Sequence, residues 1–120
     1  MGKHNEFGKE GEEIAANFLI EKGYTIQYKN FRYQKAEIDI IAQKGDILSI
    51  VEVRTRSTDH IMPIAATITQ KKKQLLVRGA DHYVTSRRLH DIEVRFDVIT
   101  ILKNNKVFEI EHLESAFYHF

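Results

Sequence analysis

Two strand-like segments joined by a two-residue turn constrain the fold of this chain more than any other feature. The segments Glu37–Gln43 and Ile47–Thr55 are rich in Ile and Val, and Gly45-Asp46 lies between them. Glycine at the first central position is typical of a type II′ turn, which joins neighbouring antiparallel strands. Such a turn pairs Lys44 with Ile47 and thereby sets the register of both strands. We therefore expect an antiparallel hairpin.

Helical and strand patterns alternate around this hairpin. Apolar residues at helical spacing predict a helix over Gly8–Lys22, ended by Gly23. A second helix is expected after Thr69 as N-cap, although Thr67 with Gln70 forms a competing capping box. Alternating residues predict further strands at Tyr24–Tyr28, Val94–Leu102 and Val107–Leu113. The order helix, three strands, helix, two strands predicts an α/β domain built on one mixed central sheet.

The composition limits the class of protein. The 120 residues are 42% hydrophobic and 29% charged, with no Cys and one Pro. This suits a single domain of residues 1–120 and excludes collagen-like, low-complexity and disulfide-scaffold classes. The six His residues do not cluster with metal-ligand spacing. No segment has the pattern of a membrane span or of a signal peptide, so we expect a soluble, cytoplasmic protein with no membrane partner.

Acids within the hairpin are the candidate functional residues. Alternation along the first strand places Ile38 and Ile40 on one face and Glu37 and Asp39 on the other. The turn register sets Asp39 opposite Glu52 of the second strand. Directly opposed side chains have Cβ atoms about 4.5–5.5 Å apart, where two carboxylates repel. A divalent cation removes that repulsion, and Mg²⁺ commonly takes one or two carboxylates together with water and phosphate oxygens.

Ion pairing is the alternative explanation of these charges. The same register sets Glu37 opposite Arg54, and a salt bridge between them is expected if both strands simply present solvated charges. Spacing alone leaves the metal site and the ion pairs equally open.

Several blocks of the sequence resemble a known family. Asp39 followed by Glu52-Val53-Arg54 resembles the paired-acid signature of the PD-(D/E)XK nuclease superfamily. The whole chain is more similar to the YraN family of small bacterial proteins, which are related to Holliday-junction resolvases. The matching blocks are Gly8–Glu12, Asn30–Arg32, Glu37–Asp39, Val51–Arg56, Thr69 with Lys72 and Leu76, Arg95–Asp97, and His112 with Ala116-Phe117. The resemblance implies a restriction-endonuclease-like core.

The resemblance also implies roles for the matching residues. Asp39 and Glu52 would hold Mg²⁺ or Mn²⁺ with Glu12 nearby, and Glu37 belongs to the motif without an assigned role. Arg54 stands where the signature usually has Lys. Because Arg stays protonated, it can bind the scissile phosphate or stabilise developing negative charge, but it cannot act as the general base. The implied reaction is metal-assisted hydrolysis of a phosphodiester.

A basic segment accompanies the second helix. Residues 69–88 contain six basic residues and one acid, a charge of +5 within a total of +1. Cations in the first turn of a helix are disfavoured by the helix dipole, and a phosphate bound there would reverse this penalty. A solvated helix face is the alternative. Lys72 matches a family position and is the preferred phosphate contact. The candidate nucleic-acid-binding residues are Lys71, Lys72, Lys73, Arg56 and Arg32.

Three functions fit these patterns. The first is a Mg²⁺-dependent endonuclease acting on DNA, with branched or damaged structures as substrates. The second is a nucleic-acid-binding protein that does not cleave, and the third is a structural subunit with ion-paired strands. A homodimer is expected by resemblance to junction resolvases. The aromatic residues Tyr24, Tyr28, Phe31 and Tyr33 are expected to pack on the sheet rather than to stack on bases.

Overall fold

One mixed five-stranded sheet organises the protein. The computed structural model describes residues 3–57, 68–105 and 107–117, with residues 3–7 and 57 described by their backbone alone. Its elements are α1 (Lys3–Glu21), β1 (Thr25–Tyr33), β2 (Ala36–Lys44), β3 (Ile47–Ser57), α2 (Gln70–Ser86), β4 (Glu93–Asn104) and β5 (Val107–Phe117). The strands lie in the order β1-β2-β3-β4-β5, and β3 and β4 are parallel while the other neighbours are antiparallel. The predicted element order and mixed sheet are confirmed.

The two helices cover opposite faces of this sheet. Consecutive β2 residues Ile40 and Ile41 belong to different apolar clusters, as expected for a strand buried on both sides. The α1-side cluster includes Ala15, Ala16, Leu19, Ile40, Val51 and Ile99. The α2-side cluster includes Ile38, Ile41, Ile50, Leu76, Ala80 and Tyr83. No helix within the described ranges is long and apolar enough to cross a membrane.

The hairpin between β2 and β3 has the predicted register. Lys44 pairs with Ile47, and pairing continues to Ile40 with Val51. Gly45 has a φ of +60°, which the first central position of a type II′ turn requires. The predicted N-cap of the second helix is also confirmed, since Thr69 Oγ1 accepts a hydrogen bond from the Lys72 backbone N–H at 3.1 Å. The competing Thr67 lies outside the described residues.

Alternation breaks inside β2, contrary to the prediction that Ile38 and Ile40 share a face. Ile38 packs in the α2-side cluster, whereas Ile40 packs in the α1-side cluster. The break falls at Asp39, which faces Asn30 across the ladder with β1. Asn30 has a left-handed φ of +54°, a conformation that Asn tolerates better than most residues. The break in β2 thus lies opposite a left-handed residue of β1, at the predicted functional acid.

Three element ends differ from their predicted positions by four residues or more. The first helix begins at Lys3, because residues 3–6 are polar and carry no apolar stripe that would mark them. β1 continues to Tyr33, which pairs with Ala36. β5 continues to Phe117, whose ring stacks on Phe96 with centroids 4.9 Å apart. The apolar C-terminal segment thus docks on the sheet as far as Phe117, and residues 118–120 lie outside the described ranges.

A close contact between α1 and β3 generates a prediction about Gly11. A Cβ atom at Gly11 would collide with Cγ2 of Thr55. We expect Gly11→Ala to lower the free energy of unfolding by about 1–3 kcal/mol through overpacking. In a Thr55→Ala background the same change should instead stabilise by up to about 1 kcal/mol, because alanine favours the helix. Urea unfolding of the four proteins measures both effects, and equal effects in the two backgrounds would contradict the collision.

Candidate functional site

Asp39 of β2 and Glu52 of β3 lie side by side on the two central antiparallel strands. They occupy the position that follows the Ile40–Val51 pair in the hairpin register, and each carboxyl group affects the pKa of the other. Glu52 is buried, with 6% of the residue exposed. Asp39 is half-buried, and its Oδ2 accepts a hydrogen bond from the Val53 backbone N–H at 2.8 Å. We call Asp39 and Glu52 the carboxylate pair.

Burial governs the protonation of the carboxylate pair. It raises the pKa of Glu52 to about 7, and the charge of Asp39 adds to this effect while Lys72 and Arg54 oppose it. Burial also raises the pKa of Asp39, against the hydrogen bond from Val53. With a pKa of about 7, Glu52 is therefore partly protonated near neutral pH in the metal-free protein.

Two basic side chains converge on one oxygen of Glu52. Arg54 Nη2 lies 3.2 Å from Oε2, and Lys72 Nζ lies 3.7 Å from the same atom. The other oxygen, Oε1, is buried and has no hydrogen-bond partner. Lys72 comes from the first turn of α2, so the crossover after β3 brings it to the pair. The sequence predicted Lys72 as a phosphate contact but gave no signal that it would reach Glu52.

Glu12 lies near the carboxylate pair but is held by a different group. Burial raises its pKa, and the charge of Asp39 raises it further. Its side chain is hydrogen-bonded to Asn30, the left-handed residue of β1. The helix acid therefore contributes to the electrostatics of the pair, while its carboxylate is engaged by the amide.

The predicted salt bridge between Glu37 and Arg54 is wrong. Glu37 instead forms an ion pair with Arg32 at 3.5 Å, and Arg54 turns to Glu52. Arg32 of β1 lies opposite Glu37 of β2 in the sheet, so Arg32 rather than Arg54 is the ion-pair partner of Glu37. Both are exposed, so their ion pair is separate from the buried carboxylates.

The other basic candidates do not gather at one point. Lys71 is exposed in the first turn of α2, while the Lys73 ammonium lies 5.6 Å above the ring of Phe117. Arg56 lies in β3 two residues beyond Arg54 and is half-buried. Of the predicted nucleic-acid contacts, Lys72 is the one that the structure places against the carboxylate pair.

The divalent cation implied by the resemblance fits the carboxylate pair. Glu52 Oε1 is a buried acceptor without a donor, and a cation would also offset the effect of burial and of the Asp39 charge, which raise the pKa of Glu52. Within the described ranges, no three side chains of His, Cys, Asp or Glu gather around a common point. The protein would thus supply two carboxylates, as is usual for Mg²⁺, whose remaining ligands are waters and substrate phosphate.

A second buried acid, Asp97, lies in a different environment. Burial alone would raise its pKa, but hydrogen bonds from His112, Arg95, Ser49 and the Ser115 backbone hold it well below its usual value. The donor distances are 2.6 Å for Ser49 Oγ, 2.8 Å for Arg95 Nη2, 2.9 Å for His112 Nε2 and 3.0 Å for Ser115 N. This fully bonded cluster joins β3, β4 and β5.

The fold and the carboxylate pair define an α/β protein of restriction-endonuclease-like architecture, with paired acids on its two central antiparallel strands. Residues 11–101 match the uncharacterised protein family UPF0102. The chain belongs to this family, also called YraN, as its resemblance implied.

Bacterial relatives match along the whole chain. A UPF0102 protein of Flavobacterium psychrophilum is 51% identical over 120 residues, and one of Christiangramia forsetii is 48% identical over 120 residues, in both cases covering all of each chain. A UPF0102 protein of Phocaeicola vulgatus is 42% identical over 118 residues, covering 98% of this chain and 97% of its own.

The raised pKa of Glu52 predicts a pH-dependent effect of Glu52→Gln on stability. Because the folded-state pKa of about 7 exceeds the ordinary value of 4.5, the ionised side chain destabilises the metal-free fold increasingly between these pH values. We expect the variant to unfold like the wild type near pH 5 and to be more stable by about 1–3 kcal/mol at pH 8. Urea unfolding in EDTA measures this, with the exposed Glu111→Gln as control. A pH-independent difference would contradict the raised pKa.

The lowered pKa of Asp97 predicts the opposite pH dependence for Asp97→Asn. Its charge stabilises the fold above the ordinary pKa of 3.8, and this stabilisation is lost as the pH falls below that value. At pH 7 we expect the variant to lose about 2–5 kcal/mol of unfolding free energy, because Arg95 loses its buried partner. The deficit should shrink in acid, and Asp81→Asn on the exposed face of α2 should show neither effect. Thermal and urea unfolding at several pH values provide the measurement.

Proposed function

We propose that this protein is a metal-dependent endonuclease acting on DNA phosphodiester bonds, with Mg²⁺ or Mn²⁺ held by Asp39 and Glu52. The observation that carries the proposal is the carboxylate pair itself, in which the buried Glu52 lies beside Asp39 and retains an unpartnered Oε1. A buried polar atom without a partner is destabilising, so its presence favours a binding function. The bound metal would supply an activated water and neutralise charge on the phosphate.

The basic residues at the pair supply the remaining chemistry. Arg54 and Lys72 bring two positive charges to Glu52, where they can bind oxygens of a phosphate and stabilise the negative charge that develops during cleavage. Arg54 stays protonated, whereas a lysine ammonium can release a proton when it is desolvated. The nuclease signature usually has a lysine at the position of Arg54. In this protein Lys72 instead brings a lysine side chain to the carboxylate pair.

A non-cleaving nucleic-acid-binding protein is the second candidate. It is favoured by the 3.2 Å ion pair from Arg54 to Glu52, which occupies a carboxylate oxygen that a metal would otherwise take. In this case the guanidinium neutralises the pair permanently, and the basic side chains serve only to bind phosphates. Branched or damaged DNA is the substrate class that we propose for either function.

A cleavage assay over structured substrates tests the endonuclease. Four-way junctions, flaps, duplexes and single strands are incubated with Mg²⁺ or Mn²⁺, and we expect at least one to be cut. Glu52→Gln should lower the rate by about 100-fold or more, because the pair loses a metal ligand. Calorimetric titration with Mn²⁺ should show binding to the wild type that Asp39→Asn abolishes. Glu111→Gln on the exposed face of β5 is the matched control for both measurements.

Two further variants separate the candidates. Lys72→Ala should slow cleavage more than tenfold while the fold is kept, and Arg54→Lys should maintain or increase it. If the folded wild type binds DNA in a salt-dependent manner but cuts none of these substrates, the non-cleaving candidate is correct. If it binds neither Mn²⁺ nor nucleic acid, both proposals are wrong.

A further inference from the structure

An accessible aromatic surface lies on the edge strand β1 and extends to the end of α2. The sequence predicted that the aromatic residues of this region pack on the sheet, and Tyr24 and Phe31 are indeed buried. Tyr28 differs, since 42% of the residue is exposed. Tyr33 is half-buried, so two aromatic side chains of β1 remain open to solvent on one side.

The rings are held in fixed positions by their neighbours. Tyr28 makes an edge contact with Phe31 at a centroid distance of 5.3 Å and an angle of 89°. Phe31 in turn makes an edge contact with the buried Tyr83 of α2 at 5.3 Å. Tyr33 and His82 are stacked at 3.7 Å with planes 8° apart. Because these contacts already fix the rings, an exposed ring face can bind a ligand without a further loss of side-chain entropy.

Positive charges are interleaved with these rings. Residues 25–35 contain Lys29, Arg32 and Lys35 and no acid. Arg87, exposed just after α2, places its guanidinium 5.7 Å from the Tyr28 ring centroid and 4.0 Å from that of Tyr83. Unpaired nucleotides bind to surfaces that combine aromatic rings with positively charged side chains. Their bases stack on the rings, and their phosphates contact the cations.

We propose that Tyr28, Tyr33, His82 and Arg87 form a stacking site for unpaired bases of a single-stranded nucleic acid. The site shares β1 with Asn30, which lies opposite Asp39 between the Lys29–Ile40 and Phe31–Ile38 pairs, so β1 connects the stacking site with the carboxylate pair. The inference rests on the proposed nucleic-acid function and names its substrate class, a strand with unpaired bases. A duplex is disfavoured because its bases are stacked on each other and present no free face.

Fluorescence of an introduced tryptophan tests stacking directly. The chain has no Trp, so Tyr28→Trp creates a single indole at the proposed site. We expect its emission to be quenched when a single-stranded oligonucleotide of about 12 nucleotides is added in EDTA. Val107→Trp, at a residue 63% exposed on the other edge strand, is the matched control and should not change. Separate DNA and RNA oligonucleotides determine which backbone is preferred.

Binding affinities provide the second measurement. Fluorescence anisotropy of a labelled single strand should show Tyr28→Ala binding roughly 5- to 150-fold more weakly than the wild type, the range expected for one stacked base. Tyr28→Phe should stay within about twofold, since it keeps the ring. Duplex binding should be unaffected by either variant.

The outcomes separate this site from the proposed function. If single strands bind equally to the wild type and to Tyr28→Ala, or bind without quenching the indole, the stacking site is wrong. If the wild type binds no single strand, the stacking site is also wrong, whereas Glu52-dependent cleavage of duplex or junction DNA would still support the endonuclease. Tyr28-dependent binding without any cleavage would support the stacking site and the non-cleaving candidate.

Discussion

The burial of β3 on both faces is the constraint on which the rest of the structure depends. The strand is paired antiparallel with β2 and parallel with β4, and its alternate residues enter the α1-side and α2-side clusters. Glu52 lies in the buried part of this strand, with 6% of the residue exposed. Glu52 must therefore be neutralised within the protein, by a shared proton, by nearby cations or by a bound ion.

The two buried acids show that the donor set, rather than burial, decides the charge state. Asp97 and Glu52 are both almost fully buried, yet the pKa of Asp97 is lowered and that of Glu52 is raised to about 7. Asp97 receives hydrogen bonds from four donors, whereas Glu52 faces another carboxyl group and leaves Oε1 unpartnered. Asp97 is therefore a stable anion that links neighbouring strands, whereas the charged form of Glu52 lacks a full set of hydrogen-bond donors.

Structural features that depend on residues close together in the sequence could be predicted from local patterns. The Gly45 turn set the hairpin register, and that register predicted that Asp39 and Glu52 would meet. The Thr69 cap and the element order followed from short-range signals of the same kind. The family could be identified because its motifs are spread along the chain.

Long-range geometry was beyond the reach of these patterns. The break of alternation at Asp39 coincides with a left-handed residue in another strand, and no periodicity within β2 shows it. The ion pair of Glu37 with Arg32 depends on the register of β1 with β2, which places the two residues opposite each other. The arrival of Lys72 at Glu52 depends on how α2 crosses the sheet, which no spacing within the helix encodes.

The parallel pairing of β3 with β4 also has a consequence for the order of folding. The contact from Val53 to Asp39 spans 14 residues, whereas that from Ser49 to Asp97 spans 48. Closing the longer loop loses more chain entropy, and contacts of large sequence separation form more slowly. The hairpin can therefore bring its two acids together before the crossover delivers Lys72.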